Sequence, residues 1–128
     1  MARVLIVDDS RTSRRMLKQV LTEAGYEIAG EAANGEEGVL MYRELKPDAV
    51  TMDITMPVMN GLEALICIKK EDDDAKVIMV TAAGQKEKMV TAIKEGADDF
   101  IAKPFEPEQV VDALNYVLRD KNKKNEEN

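Results

Sequence analysis

Asp8, Asp9, Asp53, Thr81 and Lys103 are the residues of this chain whose types suit chemistry and whose positions suit a shared site. Each follows a short apolar run: residues 4–7 lead into Asp8 and Asp9, 49–52 into Asp53, 77–80 into Thr81 and 100–102 into Lys103. Taken singly, each has an ordinary explanation: an Asp there commonly caps a helix or forms a turn, a Thr is structural and a Lys is solvated. As a set they have specific chemistry. Three carboxylates at close range stay ionised only if a cation joins them; otherwise some take up protons. An all-oxygen donor set without Cys or His favours a hard ion, and few protein ligands supplemented by water favour Mg2+. A carboxylate can also act as a nucleophile and carry phosphate as an acyl phosphate. Lys103 would then neutralise phosphoryl oxygens, and the Thr81 hydroxyl would donate a hydrogen bond to one.

Such residues meet only if the chain brings the ends of those runs together. The apolar runs, with a further one at 27–31, alternate with segments of helical period. Leu17, Val20, Leu21 and Ala24 form one helical stripe, and Val110, Val111, Leu114, Val117 and Leu118 another. Ser10 is placed to cap the first helix, and Asn34 with Glu37 has capping-box spacing. Gly25 and Gly96 fall where helices would end, Pro107 suits a first helical turn, and Gly61 suits a tight turn. Alternating strands and helices, with strands apolar on both faces, predict a parallel sheet covered on both sides. Ligands of such sheets bind beyond the carboxyl ends of the strands, where these polar residues lie.

The bulk composition narrows the function. A chain of 128 residues suits one domain, here residues 1–120, with 121–128 (the end of "RDKNKKNEEN") expected as a solvated tail. With 25 acidic against 18 basic side chains and a net charge of −7, direct nucleic-acid binding is not expected. No apolar run approaches the roughly 20 residues of a membrane-spanning helix, and no signal peptide is visible. Cys67 is the single cysteine, so no internal disulfide forms and a cytoplasmic location is expected. The chain has no histidine, which excludes Ser-His-Asp catalysis, histidine metal sites and any phosphohistidine of its own.

The stretches "VLIVDDS", "DAVTMDITMPVMNGLEAL", "VIMVTAAG" and "GADDFIAKPF", in this order, closely resemble the receiver domain of two-component response regulators. The resemblance covers about residues 2 to 120 and implies a flavodoxin-like, doubly wound α/β fold. Its five parallel strands would run in the order 2-1-3-4-5, with five helices. It implies Asp53 as acceptor of a phosphoryl group from a histidine kinase. It implies Mg2+ held by Asp9 directly, Asp8 partly through water, Asp53, and the backbone carbonyl of Thr55. A cis bond between Lys103 and Pro104 is typical of the family.

The same resemblance implies a switch: Thr81 moves toward the phosphoryl group and the aromatic Phe100 swings inward. Lys86, Met89, Phe100 and Ala102, with Gln85, would lie on the partner-binding face. Side chains at Thr55 and Ala83 would influence attack of water on the acyl phosphate. Phe100 as a core residue, and Met89 as core at helical spacing from Ile93, are the plain alternatives. Met56 and Met59 read as packing, and Cys67 as buried filler.

The expected role is a monomeric, stand-alone receiver of the chemotaxis kind that passes its state to a downstream target protein such as a flagellar switch. It would be no enzyme beyond the phosphorylation and dephosphorylation of its own Asp53. A receiver cut from a longer DNA-binding regulator and a phosphorelay intermediate are the neighbouring readings. A haloacid dehalogenase-type phosphatase would need two Asp residues spaced two apart on the first strand, and "VDDS" lacks that pattern.

Overall fold

The computed structural model describes residues 2–127, with side chains described through residue 119. The chain runs β1 (Arg3–Val7), α1 (Arg11–Glu23), β2 (Glu27–Ala32), α2 (Gly35–Leu45), β3 (Ala49–Asp53), α3 (Gly61–Glu71), β4 (Val77–Thr81), α4 (Lys86–Lys94), β5 (Asp99–Ala102) and α5 (Pro107–Glu127). The strands form one parallel sheet in the order β2-β1-β3-β4-β5, as the resemblance implied. β1, β3 and β4 are the inner strands, which puts the ends carrying Asp8, Asp53 and Thr81 side by side.

Side chains alternate across each strand, so one strand feeds two cores. Leu5 and Val7 join Met52, Leu65, Ile68 and Met79 on one face. Val4 and Ile6 join Leu17, Leu21, Ile78, Leu114 and Leu118 on the other. Each fully buried side chain of this size contributes about 1.5–3 kcal/mol. These two layers fix the sheet's position, and with it the site at its edge.

Helix boundaries follow their caps. The Ser10 hydroxyl accepts from the Ser13 N–H, and α5 opens at Pro107. Gly25 and Gly96 both have positive φ just beyond helix ends. The Asn34 side chain caps α2 by accepting from the Glu37 N–H, but the Glu37 carboxylate accepts from the Ala33 N–H, so the box is not reciprocal. The complete box forms at α3, between Asn60 and Glu63. α4 is held differently: Gln85, at its N-cap, makes no side-chain cap bond, and Ala92 is its one buried residue.

Some sequence expectations change. Gly61 is not a turn former; it opens α3, and a Cβ there would lie 1.9 Å from the Asp53 carbonyl oxygen. The turn before it bends instead at Val58, which has φ +68. Cys67 is half-buried against the core rather than fully buried. Phe100 is 42% exposed and is not a core residue; Ile93 is also exposed, and Met89 is half-buried. Met56 is buried and Met59 packs against the core, as expected. The solvated tail expected for residues 121–128 lies outside the residues whose side chains are described; the backbone of α5 extends to Glu127.

Candidate functional site

The β1–α1 turn sets the first two acids. Val7 is the last paired residue of β1, and Asp8 continues the strand direction because its N–H donates to the Ala32 carbonyl at 3.0 Å. Its carboxylate is buried, and Oδ1 accepts the Ser10 N–H at 2.8 Å. Arg14, one turn into α1, donates from Nη1 to the Asp8 carbonyl at 2.7 Å and pins the turn from the other side. Asp9 is exposed.

Asp53 ends β3, only 7% exposed, paired in register with Val80 of β4. A carboxylate oxygen from each of Asp8, Asp9 and Asp53 lies within 4.8 Å of the others. Lys103 reaches in from the end of β5, with Nζ 3.1 Å from Asp8 Oδ2, 3.7 Å from Asp53 Oδ2 and 3.5 Å from Ser13 Oγ. Thr81 is buried at the end of β4, beside β5, where its carbonyl accepts the Lys103 N–H at 2.7 Å. The Lys103–Pro104 peptide is cis.

Asp8, Asp9, Asp53 and Lys103 therefore do converge, and Thr81 ends the strand next to Asp53, buried, with its backbone carbonyl bonded to the Lys103 N–H. The Lys103 ammonium is a counter-charge beside Asp8. One cation facing three carboxylates leaves the cleft negative. Burial and the Asp8 charge push Asp53 up from 3.8 to about 6; Lys103 pulls it back, Asp9 adds to the rise, and the Ile54 N–H lowers it. A group of carboxylates this close, without Cys or His, suits a hard divalent cation.

Thr55 is exposed two residues beyond Asp53, and its hydroxyl accepts from the Gln85 side-chain amide. Lys86 on α4 and Phe100 and Ala102 on β5 are exposed, along with Val90, Ile93 and Tyr116. Three contributors were missed in the sequence: Ser13, Arg14, and the inward contact of Gln85. Ser13 and Arg14 lie three and four residues beyond the Ser10 cap, a spacing that turns them toward the strand end. Gln85 carries no comparable local signal.

An acidic cleft with a lysine, at the carboxyl edge of a five-stranded parallel sheet, lies where doubly wound α/β domains bind their ligands. The model of the response regulator receiver domain matches residues 4–115, and the chain belongs to that family. It is 60% identical over 117 residues to chemotaxis protein CheY of Thermotoga maritima, covering 91% of this chain and 98% of that one. To CheY of Listeria monocytogenes it is 52% identical over 119 residues, covering 93% of this chain and 100% of that one. Among solved structures it resembles one chain of the CheX-CheY-BeF3-Mg2+ complex from Borrelia burgdorferi. There the TM-score is 0.87 at 39% identity, with 91% of this chain and 89% of that chain covered. These relatives place the chain among the chemotaxis response regulators of two-component signalling. Among the described residues, no helix is long and apolar enough to cross a membrane.

Proposed function

We propose that Asp53 is the phosphoryl acceptor and that Asp8, Asp9, Asp53 and the Thr55 carbonyl hold Mg2+. The observation that carries this reading is the buried Asp53 carboxylate within 4.8 Å of two further carboxylates, with Lys103 3.7 Å away. An Asp53 oxygen attacks the phosphorus of a phosphohistidine on a histidine kinase. The P–N bond breaks, the imidazole leaves and an acyl phosphate forms. Mg2+ would supply charge neutralisation for the phosphoryl oxygens.

The protein's own groups do the remaining work. Lys103 moves from its carboxylate partners to a phosphoryl oxygen, and Thr81 donates its hydroxyl to another. Asp8, fixed by the Ser10 N–H and by Arg14 at its carbonyl, keeps the acidic wall in place. Burial and the Asp8 charge raise the Asp53 carboxyl, and Mg2+ held beside it would favour the ionised, nucleophilic carboxylate. The covalent change is confined to Asp53 itself, so no external substrate is turned over. The added charge, roughly −1.5 to −2, draws Thr81 inward, makes room for Phe100, and alters the surface of Lys86, Met89, Phe100 and Ala102. A downstream target reads that surface. The domain works as a monomeric cytoplasmic relay. Support for the metal and for a phosphoryl mimic comes from the Borrelia burgdorferi CheY, which was solved with BeF3 and Mg2+.

Intact mass after incubation with acetyl phosphate tests the reading. One added phosphoryl group, dependent on Mg2+ and absent in Asp53→Asn, is the expected result; a full signal in Asp53→Asn would overturn the assignment.

A further inference from the structure

Gln85 spans the mouth of the cleft. Its Oε1 accepts the Ala82 N–H at 2.6 Å, and its Nε2 donates to the Thr55 hydroxyl. One side chain thus joins the loop after Asp53 to the loop after Thr81. Neither bond serves the helix that Gln85 begins, because Gln85 makes no side-chain cap bond to α4.

The direction of the Ala82 N–H matters. Along a strand, successive residues point their backbone groups to opposite sides. The Val80 carbonyl faces β3, where it accepts the Ile54 N–H at 3.2 Å, and the Thr81 carbonyl faces β5. Two residues beyond Val80, the Ala82 N–H faces the β3 side again, where Thr55 stands. It is the first main-chain donor past the end of β4 on the side of Asp53. A phosphoryl group there brings three strong acceptor oxygens. Lys103 and Thr81 supply two donors, and the Ala82 N–H is the next in place, already taken by Gln85.

We propose that Gln85 is a positioning residue that holds the resting cleft closed. Its side chain occupies the Ala82 N–H and ties it to Thr55, and loading of Asp53 displaces it. This rests on Asp53 being the acceptor. Release of the amide frees one donor for the phosphoryl group and uncouples the two loops. The resting state is favoured by about the net worth of one or two partly exposed hydrogen bonds, which opposes loading by roughly 3- to 10-fold.

The test is beryllofluoride binding in the presence of Mg2+, followed by calorimetry, for the parent protein, Gln85→Ala, Thr55→Val and the double variant. The proposal expects Gln85→Ala to bind about 3- to 10-fold tighter. Thr55→Val should shift binding in the same direction, and the double variant should gain no more than Gln85→Ala alone, because both act through one contact. A merely structural tie predicts the opposite sign, since loosening the loops would weaken binding. In chelator, without the anion, amide hydrogen exchange at Ala82 should be faster in Gln85→Ala than in the parent. Equal or weaker binding by Gln85→Ala, or unchanged exchange at Ala82, overturns the proposal. Failure of the parent protein itself to bind overturns the acceptor reading, and the clasp with it.

Discussion

Asp53→Asn, studied without divalent metal, should make the folded protein more stable. Burial and the neighbouring Asp8 charge raise the Asp53 carboxyl from 3.8 to about 6. For an acid with a raised native pKa, the native state binds more protons than the unfolded chain between those two values. Stability therefore falls as pH rises through that window, and the loss is complete above about pH 7. At 1.36 kcal/mol per pH unit the full destabilisation is about 3 kcal/mol. Solvent at the cleft mouth screens part of it, which leaves about 2 kcal/mol. Asn keeps the shape and removes the charge. Urea unfolding in EDTA should show the variant more stable by about 2 kcal/mol at about pH 8, and by about half that at about pH 5. Saturating Mg2+ should reduce or reverse the difference, because the ion stabilises only a native state that binds it. A variant less stable than the parent at high pH in EDTA, or a gap that ignores pH, would refute the electrostatic reasoning.

Further outcomes follow from the packing. Gly61→Ala places a Cβ 1.9 Å from the Asp53 carbonyl oxygen, so it should cost about 3 kcal/mol in urea unfolding and lower phosphoryl uptake. Thr51 is 1% exposed and its hydroxyl has no hydrogen-bond partner among the described residues, so Thr51→Val should stabilise by about 1 kcal/mol in the same assay. Val58 is 75% exposed with φ +68, a region a β-branched residue rarely adopts; Val58→Asn should raise the thermal midpoint, by about 1 kcal/mol in stability.

The sheet was legible because its inner strands are buried on both faces and read as largely apolar runs, with Thr51 the interruption in β3. Boundaries moved by one residue where a polar side chain ends a strand whose backbone still pairs. Asp53 pairs with Val80, and Thr81 with Ala102, so both belong to their strands although Asp53 carries its carboxylate into the cleft. The five site residues were legible as strand ends, and their adjacency follows from strand order. That Lys103 bonds Asp8, 95 residues away, depends on how the sheet closes, which no local spacing encodes. Asn34 with Glu37 and Asn60 with Glu63 have the same spacing, yet only the second is reciprocal, because the Glu37 carboxylate finds the Ala33 N–H instead. The resemblance puts Gln85 on the partner face, whereas its inward reach to Ala82 and Thr55 is set by the loop conformation and not by helical period.

The light attachment of α4 has a consequence for where the protein can move. Its inner contact with the core is Ala92, whereas α3 buries Ala64, Leu65 and Ile68. Opening free energies within one native protein range from near zero to the global value, and helices with little buried apolar surface lie toward the low end. α4 is therefore expected to open locally before the rest of the domain. It is also the helix whose first turn adjoins Gln85. A rearrangement at the strand ends thus acts on the segment with the smallest restoring force, while the doubly covered strands stay still. The domain behaves as a rigid frame carrying one compliant arm.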